Sequence, residues 1–417
     1  MSLVPVHGGL DAPVYRFLAL SKRKALLAEA AAMPKIALAE AELATLYRIA
    51  DGTLSPLTGF MDQSVYDQVL DQRHIVSKGA RYAWTIPLSL PATAVEVAAL
   101  RVGNVAALTD AAGKVVGTIQ VSSIFEWDKQ RYVEKVYRTG RLDHPGAKIV
   151  TDDARTTLVG GTIQAFRPAP HPEYGHLVTS PLQTRALIAT RGWEKALAFQ
   201  TRNPLHRAHE YALVYGVEEL TRQGHFAGCV LNPLVGQLKS DDVDATTRMR
   251  TYRVLRDNAL IGQGDVRQDI WDQAGYAINE VFDLIGLDMR MFYGGPSEAV
   301  MHSIYRQNHG FTNLVIGRKH ADAPYFDGTA IWGDFDAQEV FDQLEGDLHV
   351  KPVKVGFAAY YESMGRVDLT ERHPDEKPFS ISGTKIRELL LAGERPDARI
   401  MRPETADILS AAYRARA

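Results

Sequence analysis

The sequence predicts an α/β protein of two or three domains, with a β-rich N-terminal unit followed by a parallel βα unit. Three observations carry that expectation. Short β-type runs separated by turn signals fill residues 75–127. A proline-rich stretch, "FRPAPHPEYGHLVTSP" at 166–181, then interrupts the chain as a linker would. Beyond it the rhythm changes to apolar strand, polar loop and helix, repeated, which is the pattern of parallel βα units.

Taken in order, "PKIALAEAELATLYRIADG" reads as a helix closed by Gly52 and is followed by the turn-rich "TLSPLTGF". The runs "YAWTIPLSL", "NVAALTD" and "KVVGTIQVSSIF" come next, with "DAAG" between the last two as a hairpin turn. After the linker, "KALAF" leads into a helix from Pro204, "FAGCVLN" into a loop and a helix from Ala245 to Ile261, and "TNLVIG" into a further polar loop. "FSISGTKIRELLLAG" near the end is a serine- and threonine-bearing turn that opens a helix. The expected domains are residues 1–167, 168–349 and 350–417.

Composition narrows the class. A chain of 417 residues, 46% hydrophobic, buries sizeable cores. Fifty acidic against 47 basic residues, a net charge of -3, give no reason to expect nucleic acid as a partner. The single cysteine, Cys229, sits in an apolar run, where a buried structural thiol is expected, and it excludes a zinc site built on several cysteines. No secretory leader and no uncharged apolar window of about 18 residues is present, so a cytoplasmic protein with no membrane partner is expected.

Three polar clusters, "QTRNPLHRAH", "NPLVGQLKSDD" and "GRKHADAP", each follow an apolar strand. In parallel sheets ligands sit beyond the carboxyl ends of the strands. In the first cluster Asn203 is a natural N-cap and Pro204 a natural first helical residue, so the helix is expected to start there. That start places His206 and His209 on one face beside free amides and the positive end of the helix dipole, an anion site with neutral imidazoles. Gln200, Thr201 and Arg202 project into the same space, where a guanidinium grips a tetrahedral oxyanion. A chance histidine pair remains open on these residues alone. Zinc is disfavoured, since metal-binding helices use a four-residue spacing with an acidic neighbour. In "ISGTKIREL", Ser382, Gly383 and Thr384 would offer hydroxyls and amides, with Lys385 and Arg387 supplying charge to phosphates.

The two motifs together resemble the paired signatures of the nucleotidylyltransferase superfamily. More narrowly, "FQTRNPLHRAHEYAL", "NPLVGQLKSDD", "FYGGPSEAVMHSIYRQN", "VIGRKHA", "FDAQEVF" and "SISGTKIREL", with "VPVHGG" and "IADGTLSPLTGFM" near the start, resemble the sulfate adenylyltransferase (ATP sulfurylase) family across nearly the whole chain. The resemblance implies a PUA-like β-rich N-terminal domain, a Rossmann-like nucleotidylyltransferase catalytic domain and a small C-terminal α/β domain. It implies that MgATP and sulfate give adenosine 5′-phosphosulfate and pyrophosphate by direct attack on the α-phosphorus, in a homodimer, with Mg²⁺ arriving on ATP and no zinc. By motif position, Gln200, Arg202 and Ala321 would bind sulfate, while Thr201, Arg202, Asn203, His206 and His209 would be catalytic. Those residues with Gly294, Gly295, Gly317, Arg318, Lys319 and His320 would contact ATP, and Ser382, Thr384 and Arg387 are candidate phosphate contacts.

Three features depart from the family pattern. Lys319 stands where aspartate is usual, either strengthening phosphate binding or facing solvent while its backbone works. Asn232 stands where many relatives have histidine. "DQAGYAINEVFDLIGLDM" replaces a shorter strand, which implies an altered site rim or subunit contact. No G-x-x-x-x-G-K-[ST] loop occurs, so adenylylsulfate kinase activity is not expected. The competing readings are another nucleotidylyltransferase adenylylating a small acid, and an RNA-binding module, against which the lack of a basic, aromatic-interleaved stretch in residues 75–130 argues.

Overall fold

The computed structural model describes residues 3–236, 243–379 and 383–416. The N-terminal unit is built on a six-stranded sheet: β1 (Lys35–Ala37), β2 (Gly59–Phe60), β3 (Leu90–Ala92), β4 (Val105–Thr109), β5 (Val115–Glu126) and β6 (Thr157–Ala165). The order is β1-β4-β5-β6-β2, with β3 also paired to β6. The β4–β5 hairpin turns where expected, because Asp110 Oδ1 accepts the amides of Ala112 and Lys114 at 3.0 and 2.9 Å. The stretch expected to be all helix begins instead as β1, paired in parallel with β4. Helix α1 (Glu40–Ala50) starts only after it, since the Glu42 carboxylate caps the amide of Ala39 at 2.9 Å.

The catalytic unit holds five parallel strands, β7 (Lys195–Phe199), β8 (Ala227–Leu231), β9 (Phe282–Leu284), β10 (Asn313–Ile316) and β11 (Lys351–Lys354), in the order β9-β8-β7-β10-β11. Strand order reverses between β7 and β10, so the loops leaving those two strands open a crevice between them. The sheet therefore runs past the boundary expected at residue 350, because β11 lies beyond it. Cys229 is buried in β8, and burial pushes its thiol well up.

Helix α2 (Arg207–Arg222) follows β7, α3 (Ala245–Asp257) follows β8, and α4 (Pro296–His309) precedes β10. Every residue of α4 is buried. Its Val300, Met301, Ile304 and Tyr305 belong to the N-terminal core while Ala299 belongs to the catalytic one, so a single helix fastens the two units. Asn308 completes the fastening by donating to the carbonyls of Thr53 and Ser55, both at 3.0 Å. None of residues 272–289, the stretch that departs from the family pattern, lines the crevice, and just before it the Trp271 indole donates to Glu218 of α2 at 3.0 Å. Helices α5 (Gly383–Leu391) and α6 (Pro403–Arg416) pack through Ile386, Leu390, Met401, Ala406 and Leu409.

Candidate functional site

The crevice has a volume of about 490 Å³ and is lined from one side by Gln200, Thr201, Arg202, Asn203, His206 and His209. Gly317 to Asp322 form the opposite wall, and Met291 and Tyr293 close one end. Two of the three polar clusters thus converge, through the loop after β7, the start of α2 and the loop after β10; Asn232 to Gly236 of the second do not line the crevice and its residues 237–242 lie outside the described residues. Ser382 lies outside the described residues, as does the side chain of Thr384. Arg387 is carried on α5 and is not among the lining residues.

Helix α2 does not start at Pro204. Its first residue is Arg207 and its N-cap is His206, whose Nδ1 accepts the amide of His209 at 3.3 Å. The local signal is overridden because Asn203 has other ties. Its amide donates to Thr201 Oγ1 at 3.1 Å, and its carbonyl accepts from Thr201 Oγ1 at 3.0 Å and from the Tyr252 hydroxyl at 2.8 Å. The consequence favours anion binding. With Nδ1 of His206 occupied as an acceptor, the proton of the neutral ring resides on Nε2. The two imidazoles stack with centroids 3.7 Å apart and planes 21° from parallel, so both present to the same space. Burial lowers both, His206 to about 3 with help from His209 and His209 to about 4. The expected neutrality is present, with burial rather than the helix dipole as its leading cause.

Two lining side chains on the loop after β7 carry a buried polar atom without a hydrogen-bond partner, Arg202 Nη1 and Gln200 Oε1, and His209 Nδ1 is a third. Such atoms are costly unless a ligand satisfies them. The Arg202 guanidinium stands over the Tyr293 ring at 5.6 Å from its centroid. Backbone strain concentrates on the same rim: Tyr293, Lys319 and Ala321 have φ of 56°, 49° and 56°, in the left-handed region that non-glycine residues avoid.

Gly294 and Gly295 stand behind this wall. The Gly295 amide donates to the Ala321 carbonyl at 3.1 Å, and Trp332 occupies the place of any Cβ, at 2.4 Å. Gly295 thereby braces the "GRKHA" loop at Ala321. Lys319 reaches sideways, its Nζ 3.6 Å from Asp334, whose other oxygen lies 3.4 Å from Arg318. Asn232 is buried beneath the crevice and accepts from Arg306 Nε at 3.0 Å.

Residues that sequence reasoning missed lie under the loops. Arg248 of α3, 1% exposed, donates to the carbonyls of Arg202, Leu234 and Val243 at 3.0, 2.9 and 2.8 Å. Glu298 of α4 accepts the amides of Phe292 and Gly294 at 3.0 and 2.9 Å. His302, one turn on, touches Glu298, His320 and Gln200. The available signal was a glutamate and a histidine at i and i+4 with only Ala299, Val300 and Met301 between them. Among the described residues no group of three or more His, Cys, Asp or Glu side chains is placed to hold a metal ion, and no helix is long and apolar enough to cross a membrane.

A family model described as ATP-sulfurylase matches residues 175–412, and one described as a PUA-like domain matches residues 4–168. The sulfate adenylyltransferase of Pyropia yezoensis is 52% identical over 415 residues, covering 99% of this chain and 97% of that protein. That of Synechococcus sp. (strain JA-3-3Ab) is 34% identical over 416 residues, with 99% and 97% covered. Among solved structures, the hexameric APS kinase from Thiobacillus denitrificans superposes with a TM-score of 0.71 at 21% identity, covering 98% of this chain and 68% of that one, a likeness of fold.

Proposed function

The chain belongs to the ATP-sulfurylase family, and on that premise we propose how its crevice carries out the family's reaction. The activity is that of a sulfate adenylyltransferase, which joins ATP and sulfate to give adenosine 5′-phosphosulfate and pyrophosphate. Sulfate lies between the Gln200 amide, the Arg202 guanidinium and the amide of Ala321. ATP lies along His206, His209 and Gly317 to His320, and its Mg²⁺ enters with it as part of the substrate. A sulfate oxygen forms the new bond to the α-phosphorus as the bond to the bridging oxygen breaks, and its electron pair leaves on pyrophosphate. No enzyme nucleophile and no proton transfer are needed, so catalysis is positioning and charge stabilisation.

The observation that carries these assignments is the unsatisfied Arg202 Nη1 beside two neutral, stacked histidines at a helix start. Arg202 and Thr201 with Asn203 hold sulfate against the α-phosphate, and the Nε2–H of His206 donates to the charge developing on the phosphates. We place the start of the C-terminal unit after β11 and assign the enzyme to the cytosol as a homo-oligomer, with a dimer as the simplest closed form. The test is sulfate-dependent pyrophosphate release. Release without sulfate, or with other small acids in its place, would move the assignment to another nucleotidyl transfer.

A further inference from the structure

Beneath the nucleotide wall runs a chain of polar contacts in which Glu298 and His302 take no part in the reaction as assigned above. His302 Nδ1 lies 2.9 Å from His320 Nε2. His302 Nε2 lies 3.3 Å from Glu298 Oε1 and 3.5 Å from the Gln200 amide nitrogen. Glu298 and His302 are 0% and 1% exposed. Two members of this chain, Gln200 and His320, line the crevice, and the Nε2 of His320 is already committed to His302. Nδ1 is therefore the ring nitrogen left for a ligand.

A neutral imidazole carries one proton, so His302 donates from one nitrogen and accepts at the other. Burial holds His302 well below its usual range, and holds His320 at about 3. Both rings are neutral, and the hydrogen-bond sense of the whole chain then follows from Glu298. If Glu298 is a carboxylate, His302 donates from Nε2 and the Gln200 amide loses Nε2 as an acceptor, while Nδ1 of His302 accepts from His320 Nε2–H and His320 turns a bare Nδ1 to the ligand. If Glu298 is a carboxylic acid, its O–H donates to His302 Nε2, Nδ1–H donates to His320 Nε2, and His320 offers Nδ1–H. Only the second state gives a donor to an anion.

We propose that Glu298, acting through His302, is a positioning residue that switches His320 between acceptor and donor toward the crevice, so that binding of a nucleotide polyphosphate draws a proton onto Glu298. The proposal rests on the placement of ATP along His320. Burial raises Glu298 to about 7, against the lowering effect of the Phe292 and Gly294 amides, His320 and Arg202. Around it also stand His302 and Tyr305 on its own helix, Tyr132 and Tyr137 on the helix at 129–137, and Arg290. A polyanion bound nearby raises its proton affinity further, which couples the two events by linkage.

The test is calorimetric titration of MgATP, without sulfate, into the full-length protein at pH 8 in buffers of different ionisation enthalpy. The wild type should take up more protons than Glu298→Gln, by up to about one, since at pH 8 the carboxyl is mostly ionised before the nucleotide binds. Its affinity should weaken toward tenfold per pH unit above pH 8, while that of Glu298→Gln, whose amide permanently donates to His302, stays level. Equal proton uptake in both proteins overturns the proposal. Absence of MgATP binding to the wild type overturns the nucleotide assignment instead. Should the variant fail to fold, the ¹⁵N shifts of His320 in the histidine-labelled wild type decide: a change of protonated nitrogen between pH 6 and 9 supports the switch, and a fixed tautomer overturns it.

Discussion

Arg248 Nη1 donates to the carbonyl oxygen of Arg202 at 3.0 Å, so the shape of the loop after β7 is held by a guanidinium buried beneath it. The same side chain ties the carbonyls of Leu234 and Val243, from the strand-end loop of β8 and the entry to α3. A lysine ammonium cannot span three carbonyls in the plane of an arginine fork. Arg248→Lys should therefore fold and lose turnover by about 10²-fold, the scale of a 1 Å misplacement of reacting groups. Steady-state kinetics beside a thermal melt would check this, and unchanged turnover would count against the loop's dependence on Arg248.

In the proposed reaction Arg202 and His206 act on charge that develops in the transition state. Arg202→Ala and His206→Ala should each lower turnover on the order of 10² to 10³, as loss of one oxyanion donor does. His206→Gln keeps an amide donor and should retain more activity than the alanine variant. The pyrophosphate-release rate of folded variants is the measurement.

The structure gives Lys319 a partner, Asp334, in a half-exposed pair with side-chain exposures of 41% and 40%. An exposed pair contributes at most about 1 kcal/mol, and the cation still faces the crevice rim. Lys319→Asp places a carboxylate next to Asp334 and should raise the dissociation constant for pyrophosphate by about fivefold or more, by unfavourable charge at the rim. Lys319→Ala should fall between. Equal affinities in all three proteins would assign the residue's contribution to its left-handed backbone alone.

The buried histidines set an acid limit. His206, His209 and His320 are lowered to about 3, 4 and 3, below the unfolded value of 6.5. The unfolded chain therefore binds more protons below pH 6.5, so stability is full above that value and declines as pH falls from there toward 3. Each neutral ring costs at most about 1.4 kcal/mol at pH 5.5, one unit below the unfolded value, and less where the ring edge meets solvent at the crevice. Thermal midpoints should fall as pH drops below 6.5, and the fall should be shallower in His206→Gln.

What was legible in the sequence was chemistry contiguous in the chain. Gln200 to His209 could be read because one strand end and one helix start gather all its groups. What was not legible acts across the fold. Arg248, Glu298 and His302 hold loops through backbone atoms and rings distant in sequence, and inside helical runs they read as ordinary polar interruptions. The start of α2 was misjudged because tertiary ties to Asn203 outweigh a local Asn-Pro signal. Strand β11 was hidden for another reason: "KPVK" carries a proline and two lysines, tolerable because it is an edge strand with Pro352 opposite Leu314.

The C-terminal segment reaches the site through a buried ion pair. Arg402 Nε and Nη2 bond the Glu210 carboxylate at 2.9 and 2.5 Å, Glu210 also accepts the amide of Gly262, and the carbonyl of Ile400 accepts the first amide of α2, from Arg207, at 2.8 Å. Glu210 is the residue after His209, so the segment braces the helix start that carries the histidines. Removing one partner strands a charge at 2% exposure for Glu210, and Arg402→Ala should cost about 3–5 kcal/mol in urea unfolding. Replacing both with apolar residues of similar volume, Glu210→Leu with Arg402→Met, removes the stranded charge and should recover most of that loss. The Ile400 carbonyl still meets the Arg207 amide in the double variant, so turnover should stay within about tenfold of the parent if the pair acts only on stability. A double variant as unstable as Arg402→Ala would show instead that the Gly262 amide and the Gln263 carbonyl, which accepts from Arg402 at 3.0 Å, require these polar partners.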